Sequence, residues 1–156
     1  MIIQFVAVLL IVGLDQFVKF WVVNNLEMYK GFPIIEKVID IYRTSNTGAA
    51  WSMLEGRTWL LIAVSSVASL AMIYLLASRK IKSKVGSWAI AVILAGALGN
   101  LVDRIFRGGE VVDMFRFKFI DFPVFNVADI AVTIGTILLF IYLIFIYDDK
   151  SEKKKK

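Results

Sequence analysis

Three stretches of this chain run for at least 18 residues without a charged side chain: 59–77, 85–102 and 130–147. Each approaches the ~20 apolar residues that a helix needs to cross ~30 Å of hydrocarbon. A fourth apolar stretch, 2–14, continues through "DQFVKFWVV" to residue 23. It spans only if Asp15 and Lys19 are tolerated within the membrane. No Lys or Arg precedes its apolar core and no small-x-small cleavage signature follows, so it reads as a retained first span, not a removed leader. The chain is 59 % hydrophobic over 156 residues, more than a soluble domain of this size can bury. The expectation is a single polytopic membrane domain, residues 1–150, all-α, with four transmembrane helices at about 2–23, 59–77, 85–104 and 129–147, followed by a basic tail at 151–156.

The linker "SRKIKSKVG" (78–86) has four cations and no acid, and the terminal "DDKSEKKKK" has five lysines. Under the positive-inside rule both are cytoplasmic, which puts both termini inside and segments 24–57 and 103–129 outside. The net charge of +5 then reflects orientation and contact with anionic membrane lipids, not nucleic-acid binding. Between spans one and two, "FPIIEKVIDIYRTSN" mixes β-branched and aromatic residues with partial alternation, the mark of a small strand-rich exterior element. Residues 44–48 read as a turn, and Gly48-Ala49-Ala50 as a place of close approach. Phe115, Phe117, Phe119, Phe122 and Phe125, interleaved with Arg116 and Lys118, read as an aromatic belt at headgroup depth. Gly96 and Gly99, and Ser65, Ser66 and Ser69, read as helix-packing positions.

The chain contains no histidine and no cysteine. Thiol nucleophiles, Cys- or His-based metal sites and every Ser-His arrangement are therefore excluded, and acid–base chemistry falls to Asp, Glu, Lys or Tyr. Several polar groups sit where they are costly. Asp15 and Lys19, at i and i+4, share one helix face and can pair; the pair either satisfies itself or faces a polar cavity. Asn100, Asp103 and Arg104 share the last turn of span three, with the amide a turn deeper than an interfacial anchor requires. Asp113, Asp121 and Asp129 are spaced eight apart. Asp121 precedes a proline turn and suits a loop. Asp129, three after Asn126, fits a capping box at the start of span four, a role compatible with chemistry. Asp113 has apolar neighbours that favour its protonated form. Two carboxyl groups in such opposed settings suit a pair that shares one proton, one activating water while the other polarises a carbonyl. A Ser–Lys pair (Lys19 with Ser45 or Ser52) and an ion pathway through Asp, Lys and Arg are the rival readings.

Five ordered blocks, "DQFVK" (15–19), "NTGAAW" (46–51), "GALGNLVDR" (96–104), "GEVVDM" (109–114) and "FNVADI" (125–130), resemble those of the lipoprotein signal peptidases, or signal peptidase II. The resemblance implies a bacterial inner-membrane aspartic endopeptidase acting without metal or cofactor. It would remove signal peptides from diacylglyceryl-modified prolipoproteins, cutting before the lipidated cysteine. It puts the catalytic dyad on Asp113 and Asp129, Asn100 and Arg104 beside the substrate, and Asn126 beside the dyad, with Asn46, Asp15, Lys19 and Asp103 lining or supporting the site. It also implies a site near the outer face; a monomer is expected. Ile130 departs from the small hydroxyl residue common in the family, which bears on a secondary hydrogen bond near Asp129.

Overall fold

A computed structural model describes residues 1–48 and 56–147; Ala49, Ala50, Trp51, Ser52 and the basic tail lie outside the described residues. The order is α1 (Ile2–Asn25), β1 (Gly31–Ile35), β2 (Ile39–Asn46), α2 (Thr58–Ala77), α3 (Lys84–Phe106), β3 (Val111–Phe117) and α4 (Val127–Ile141), which continues as a wider π-helical segment, Tyr142–Tyr147. All four helical stretches are long and apolar enough to cross a membrane. They are not equivalent. Half of the most apolar window of α3 is buried, against 22 %, 17 % and 11 % for α1, α2 and α4. Thus α3 is the central post, and the other three turn Leu9, Leu10, Val67, Leu70, Ile137 and Phe140 outward, as a helix surrounded by lipid should.

Small residues let α4 close on α3. A Cβ added at Gly96 would stand 2.6 Å from Val132 Cγ2 and closer still to the Ala128 carbonyl oxygen; one at Gly135 would stand 2.7 Å from the Ile93 nitrogen. Each helix thus contributes a glycine under the other's backbone. Dispersion contacts drive helix association in lipid, so that approach is the main source of cohesion between them.

The sheet is antiparallel, in the order β1-β2-β3. Its first two strands form the small strand-rich element expected between spans one and two. The third comes from the segment between α3 and α4, which sequence alone presents as an aromatic belt. The first four residues of β3 are all buried, so the inside–outside alternation that marks a strand is missing. The phenylalanines pack on one another, Phe117 against Phe125 at 5.1 Å and against Phe122 at 5.8 Å between ring centres. The interleaved cations are paired: Arg116 donates to Asp40 at 2.7 Å and lies over the Tyr42 ring, and Lys118 is 3.4 Å from Asp40. The Arg116 hydrogen bond holds the Asp40 carboxyl below its ordinary range. Strand β2 runs through Asn46, so the turn expected at 44–48 begins later, at Thr47.

The sheet is fastened to the bundle at two places. Arg43 of β2 donates to the carbonyls of Val23 and Leu26 at 3.0 and 2.7 Å, capping the end of α1. Val22 of α1 packs with Val112 and Met114 of β3 in a small core. A charged cluster joins the rest. Lys19, 0 % exposed, lies 2.9 Å from Asp15 and 3.0 Å from Asp103. Asp15 accepts from the Ala128 N–H of α4, and Asp103 from the Val112 N–H of β3. Gln16 donates to Asp15, Asp103 and the Gly99 carbonyl, and Arg107 pairs with Asp103 at 3.2 Å.

Two stability outcomes follow for the purified protein in detergent. Gly96→Val should destabilise the fold by an overpacking cost of roughly 1–3 kcal/mol or more and so lower the thermal midpoint, whereas Gly13→Ala, with open space around its added Cβ, should not. Lys19→Met leaves two buried carboxylates facing each other and should cost about 3–5 kcal/mol. Adding Asp15→Asn should recover part of the loss, and strict additivity of the two changes would show that the three groups do not act as a cluster.

Candidate active site

At the end of the bundle where α3 finishes, a cavity of about 620 Å³ lies between the sheet and helices α2, α3 and α4. Its polar lining comprises Asn46, Ser65, Asn100, Arg104, Asp113, Asp129 and Thr133. Its apolar wall includes Leu61 of α2, Phe117 and Phe125. The cavity therefore pairs a charged floor with a greasy side.

Local structure accounts for the meeting of the two aspartates. Strand β3 pairs Asp113 with Thr44 of β2. Further along, Phe115 and Phe125 exchange backbone hydrogen bonds at 2.8 and 3.0 Å, folding the 118–124 loop back so that Asn126 arrives beside Asp113. Asn126 also begins α4. Its Oδ1 accepts from the Asp129 N–H at 2.9 Å, and Asp129 Oδ2 accepts from the Asn126 N–H at 3.1 Å, a reciprocal capping box. The Asn126 Nδ2 is left free to donate to Asp113 Oδ1 at 2.6 Å and to Asn100 Oδ1 at 3.1 Å. Asn100 Nδ2 donates to Asp129 Oδ1 at 2.8 Å, and Lys19 Nζ donates to Asn100 Oδ1 at 3.1 Å. Two asparagine amides thus bridge the carboxylates, and the buried lysine fixes which way the Asn100 amide points.

Asp113 is 4 % exposed. Burial first, and then the nearby charge of Asp129, push its carboxyl up to about 7; hydrogen bonds from Asn126 and Asn46 and the charge of Lys19 act the other way. Near neutrality the group is therefore divided between its acid and its ionised form. Arg104 is half-buried, donates to the Gly48 carbonyl at 2.8 Å, and is close enough to feel both carboxylates. Its buried Nε has no hydrogen-bond partner among the described residues.

Six of the residues singled out from sequence, Asn46, Asn100, Arg104, Asp113, Asn126 and Asp129, come together here. Asp15, Lys19 and Asp103 stand behind them in the charged cluster and support the site without lining the cavity. Asp121 is exposed on the 118–124 loop and has no part in the arrangement. The Ser–Lys reading fails on geometry: Lys19 is wholly buried and held by Asp15, Asp103 and Asn100, so it is no free base for Ser45. Gln16 went unmarked in sequence, although its place beside Asp15 in "DQFVK" was the signal. Ser65 and Thr133, which line the cavity, carried no signal beyond helix packing.

The model of the family described as signal peptidase (SPase) II matches residues 7–145. A lipoprotein signal peptidase of Enterococcus faecalis is 40 % identical over 156 residues, covering 100 % of this chain and 95 % of that protein. One from Clostridioides difficile is 42 % identical over 144 residues, covering 92 % and 95 %. Among solved structures, a bacterial membrane enzyme determined at 2.3 Å superposes with a TM-score of 0.87 at 32 % identity, covering 98 % of this chain and 92 % of that one. A second, at 1.9 Å, gives 0.83 at 31 % identity, covering 92 % and 93 %. With its four long apolar helices, its three-stranded antiparallel sheet and a match along nearly its whole length, this chain belongs to the signal peptidase II family.

Proposed function

We propose that the chain is an aspartic endopeptidase of the bacterial cytoplasmic membrane, which removes the signal peptide from diacylglyceryl-modified prolipoproteins by cutting before the lipidated cysteine. Membership of the family supports a protease of this kind. The observation that carries the aspartic mechanism is the bridge of Asn126 and Asn100 between Asp113 and Asp129 on the floor of one cavity. Both termini are assigned to the cytoplasm and the site to the outer boundary, because the four-cation linker and the lysine tail flank the opposite ends of the spans. The enzyme is proposed to act as a monomer.

The chemistry needs one shared proton. Asp129 is the ionised member, at the positive end of α4, and Asp113 carries the proton favoured by its burial. A water between them gives a proton to Asp129 as its oxygen adds to the scissile carbonyl carbon, while Asp113 delivers its proton to the carbonyl oxygen. The resulting gem-diol collapses. One hydroxyl proton returns to Asp113, the proton on Asp129 passes to the leaving nitrogen, and the C–N bond breaks. The products are the signal peptide's carboxyl group and a free amine on the lipidated cysteine. Arg104 lines the cavity and spends one guanidinium N–H on the Gly48 carbonyl, so that its remaining terminal N–H groups are suited to hold a substrate backbone carbonyl. The apolar wall of the cavity suits a substrate whose signal helix and acyl chains already reside in the membrane.

The decisive assay follows cleavage of a diacylglyceryl-modified prolipoprotein. Asp113→Asn and Asp129→Asn should each lose activity by about 10³-fold or more, in the range that general acid–base groups supply, while Asp121→Asn stays near wild type. Stability separates chemistry from folding. The folded pKa of Asp113 is raised from 3.8 to about 7. Its carboxyl therefore destabilises the fold increasingly as pH rises from about 3.8 to about 7, and by a constant amount above that. Asp113→Asn should consequently be inactive yet more stable than wild type at pH 8. A folded Asp129→Asn protein that still cuts would reduce Asp129 to a helix cap.

The pH profile offers a second outcome. The alkaline limb of kcat/KM should fall through the range near 7, although its midpoint belongs to the pair and not to one residue. Asn46 donates a hydrogen bond that favours the ionised form of Asp113. Asn46→Ala should therefore raise that pKa and move the alkaline limb to higher pH. A shift to lower pH would show that Asp113 is not the group titrating there.

A further inference from the structure

The opposite end of the bundle holds a second concave site, far from the aspartates. A cavity of about 520 Å³ opens where α1 begins, α2 ends and α3 begins; Gln4, Arg79, Lys82, Lys84 and Ser87 supply its polar lining and Leu76 part of its apolar floor. From Lys84 to Asn100 along α3 is roughly 24 Å at 1.5 Å per residue, so this cavity is separate from the site described above.

Three features distinguish it from a merely positive flank. First, the charge is one-sided. The lining contains three basic side chains and no acid, and among the described residues none of Arg79, Lys82 and Lys84 forms an ion pair. Elsewhere Arg107, Arg116, Lys19, Lys30 and Lys118 are paired; Lys37 and Arg57 also lack an ion pair among the described residues, but neither lines this cavity or the one at the aspartates. Second, Lys84 stands in the first turn of α3, where the helix dipole disfavours a cation and no acidic side chain offsets it. Third, Arg79 follows the end of α2 at φ +53, a left-handed conformation that glycine adopts freely and a β-carbon penalises. Tyr29 and Lys37 share that conformation; Arg79 differs from them in that its side chain lines the cavity. Polar partners complete the lining: Gln4 Nε2 donates to Ser87 Oγ at 2.7 Å, tying α1 to α3 at the rim.

We propose that this cavity binds the phosphate-bearing headgroup of an anionic phospholipid in the leaflet around this end of the bundle. Arg79, Lys82 and Lys84 take the phosphodiester, and the apolar floor receives the glycerol end of the acyl chains. A planar guanidinium offers two parallel N–H donors to phosphate oxygens while lysines contribute point charges, and basic pockets between membrane helices are suited to such headgroups. A free phosphate would satisfy the same cations. The acyl chains distinguish the two sources, because only the lipid holds its phosphate at this depth beside Leu76.

Native mass spectrometry of the full chain in detergent, with equal amounts of phosphatidylglycerol and phosphatidylcholine of matched acyl chains, tests the assignment. Wild type should retain phosphatidylglycerol in preference by about tenfold or more, given that each basic residue near an anionic lipid surface contributes appreciably. Arg79→Gly with Lys82→Gln should abolish that preference without loss of thermal stability, since glycine suits the backbone at 79. Lys30→Gln with Lys37→Gln, which removes the same charge from the sheet end, should leave it intact. Equal loss in both double variants would reduce the effect to general charge attraction and overturn the proposal. Displacement of the lipid by millimolar inorganic phosphate would overturn the lipid assignment in favour of a soluble anion.

Discussion

The ammonium group of Lys19 is the interaction on which the rest of the architecture depends. It is wholly buried, and an unpaired charge at that depth would cost several kcal/mol. Asp15 and Asp103 supply the opposing charge, and each of those carboxylates in turn accepts a backbone N–H from an element that must be placed accurately: Ala128 at the start of α4 and Val112 in β3. These are the two elements that bear Asp129 and Asp113. A single buried cation on α1 thus sets, through two carboxylates, where both proposed catalytic groups start. A purely apolar core would hold the helices together but would tolerate sliding, whereas hydrogen bonds to named backbone N–H groups fix register along the helix axes.

The same cluster reaches the site by a second route. Lys19 donates to the Asn100 carbonyl oxygen, which obliges the Asn100 amide nitrogen to face Asp129. Asn126 is constrained likewise: its oxygen is consumed in capping α4, so its nitrogen must turn to Asp113 and Asn100. The amide orientations are therefore settled by what surrounds them, and the carboxylates meet a preset arrangement of donors. Donors fixed before the substrate arrives cost no reorganisation during reaction, which is the physical advantage of spending a charged cluster on a site that it never lines.

How much of this the sequence disclosed depended on the distance over which each signal acts. Local signals were clear: the four spans, the i, i+4 pair of Asp15 and Lys19, and the reciprocal cap of Asn126 and Asp129 are all written within a few turns of chain. The pairing of Asp113 with Asp129 was suggested by their opposed surroundings, but the addition of Asn46, Asn100 and Arg104 was legible only through resemblance of ordered blocks, because no local rule brings residue 46 beside residue 113. Strand β3 was missed because it is buried on both faces, so the period-2 pattern that reveals a strand is absent. The phenylalanines read as a headgroup belt; Phe119 and Phe122 are exposed, while Phe115, Phe117 and Phe125 also pack ring on ring, a contact that aromatic content alone does not disclose. The partner of Arg43, a pair of carbonyls at the end of α1, could not be inferred because backbone acceptors leave no trace in a sequence.

The two ends of α3 show opposite solutions to the problem of charge at a membrane boundary. At its C-terminal end, cations and carboxylates are buried together and satisfy one another, which leaves Asp113 as the group whose protonation is poised near neutrality and Arg104 with one donor unspent. At its N-terminal end, cations are gathered with no acid among the described residues to answer them. An internally balanced cluster gives precise positions and little attraction for an outside ion. An unbalanced one gives attraction and, until an anion arrives, self-repulsion. Chemistry at a peptide bond needs the first; anchoring to an anionic leaflet needs the second. The central helix separates the two by its own length, so that the unbalanced cations stay clear of the carboxylates whose proton sharing the proposed reaction requires.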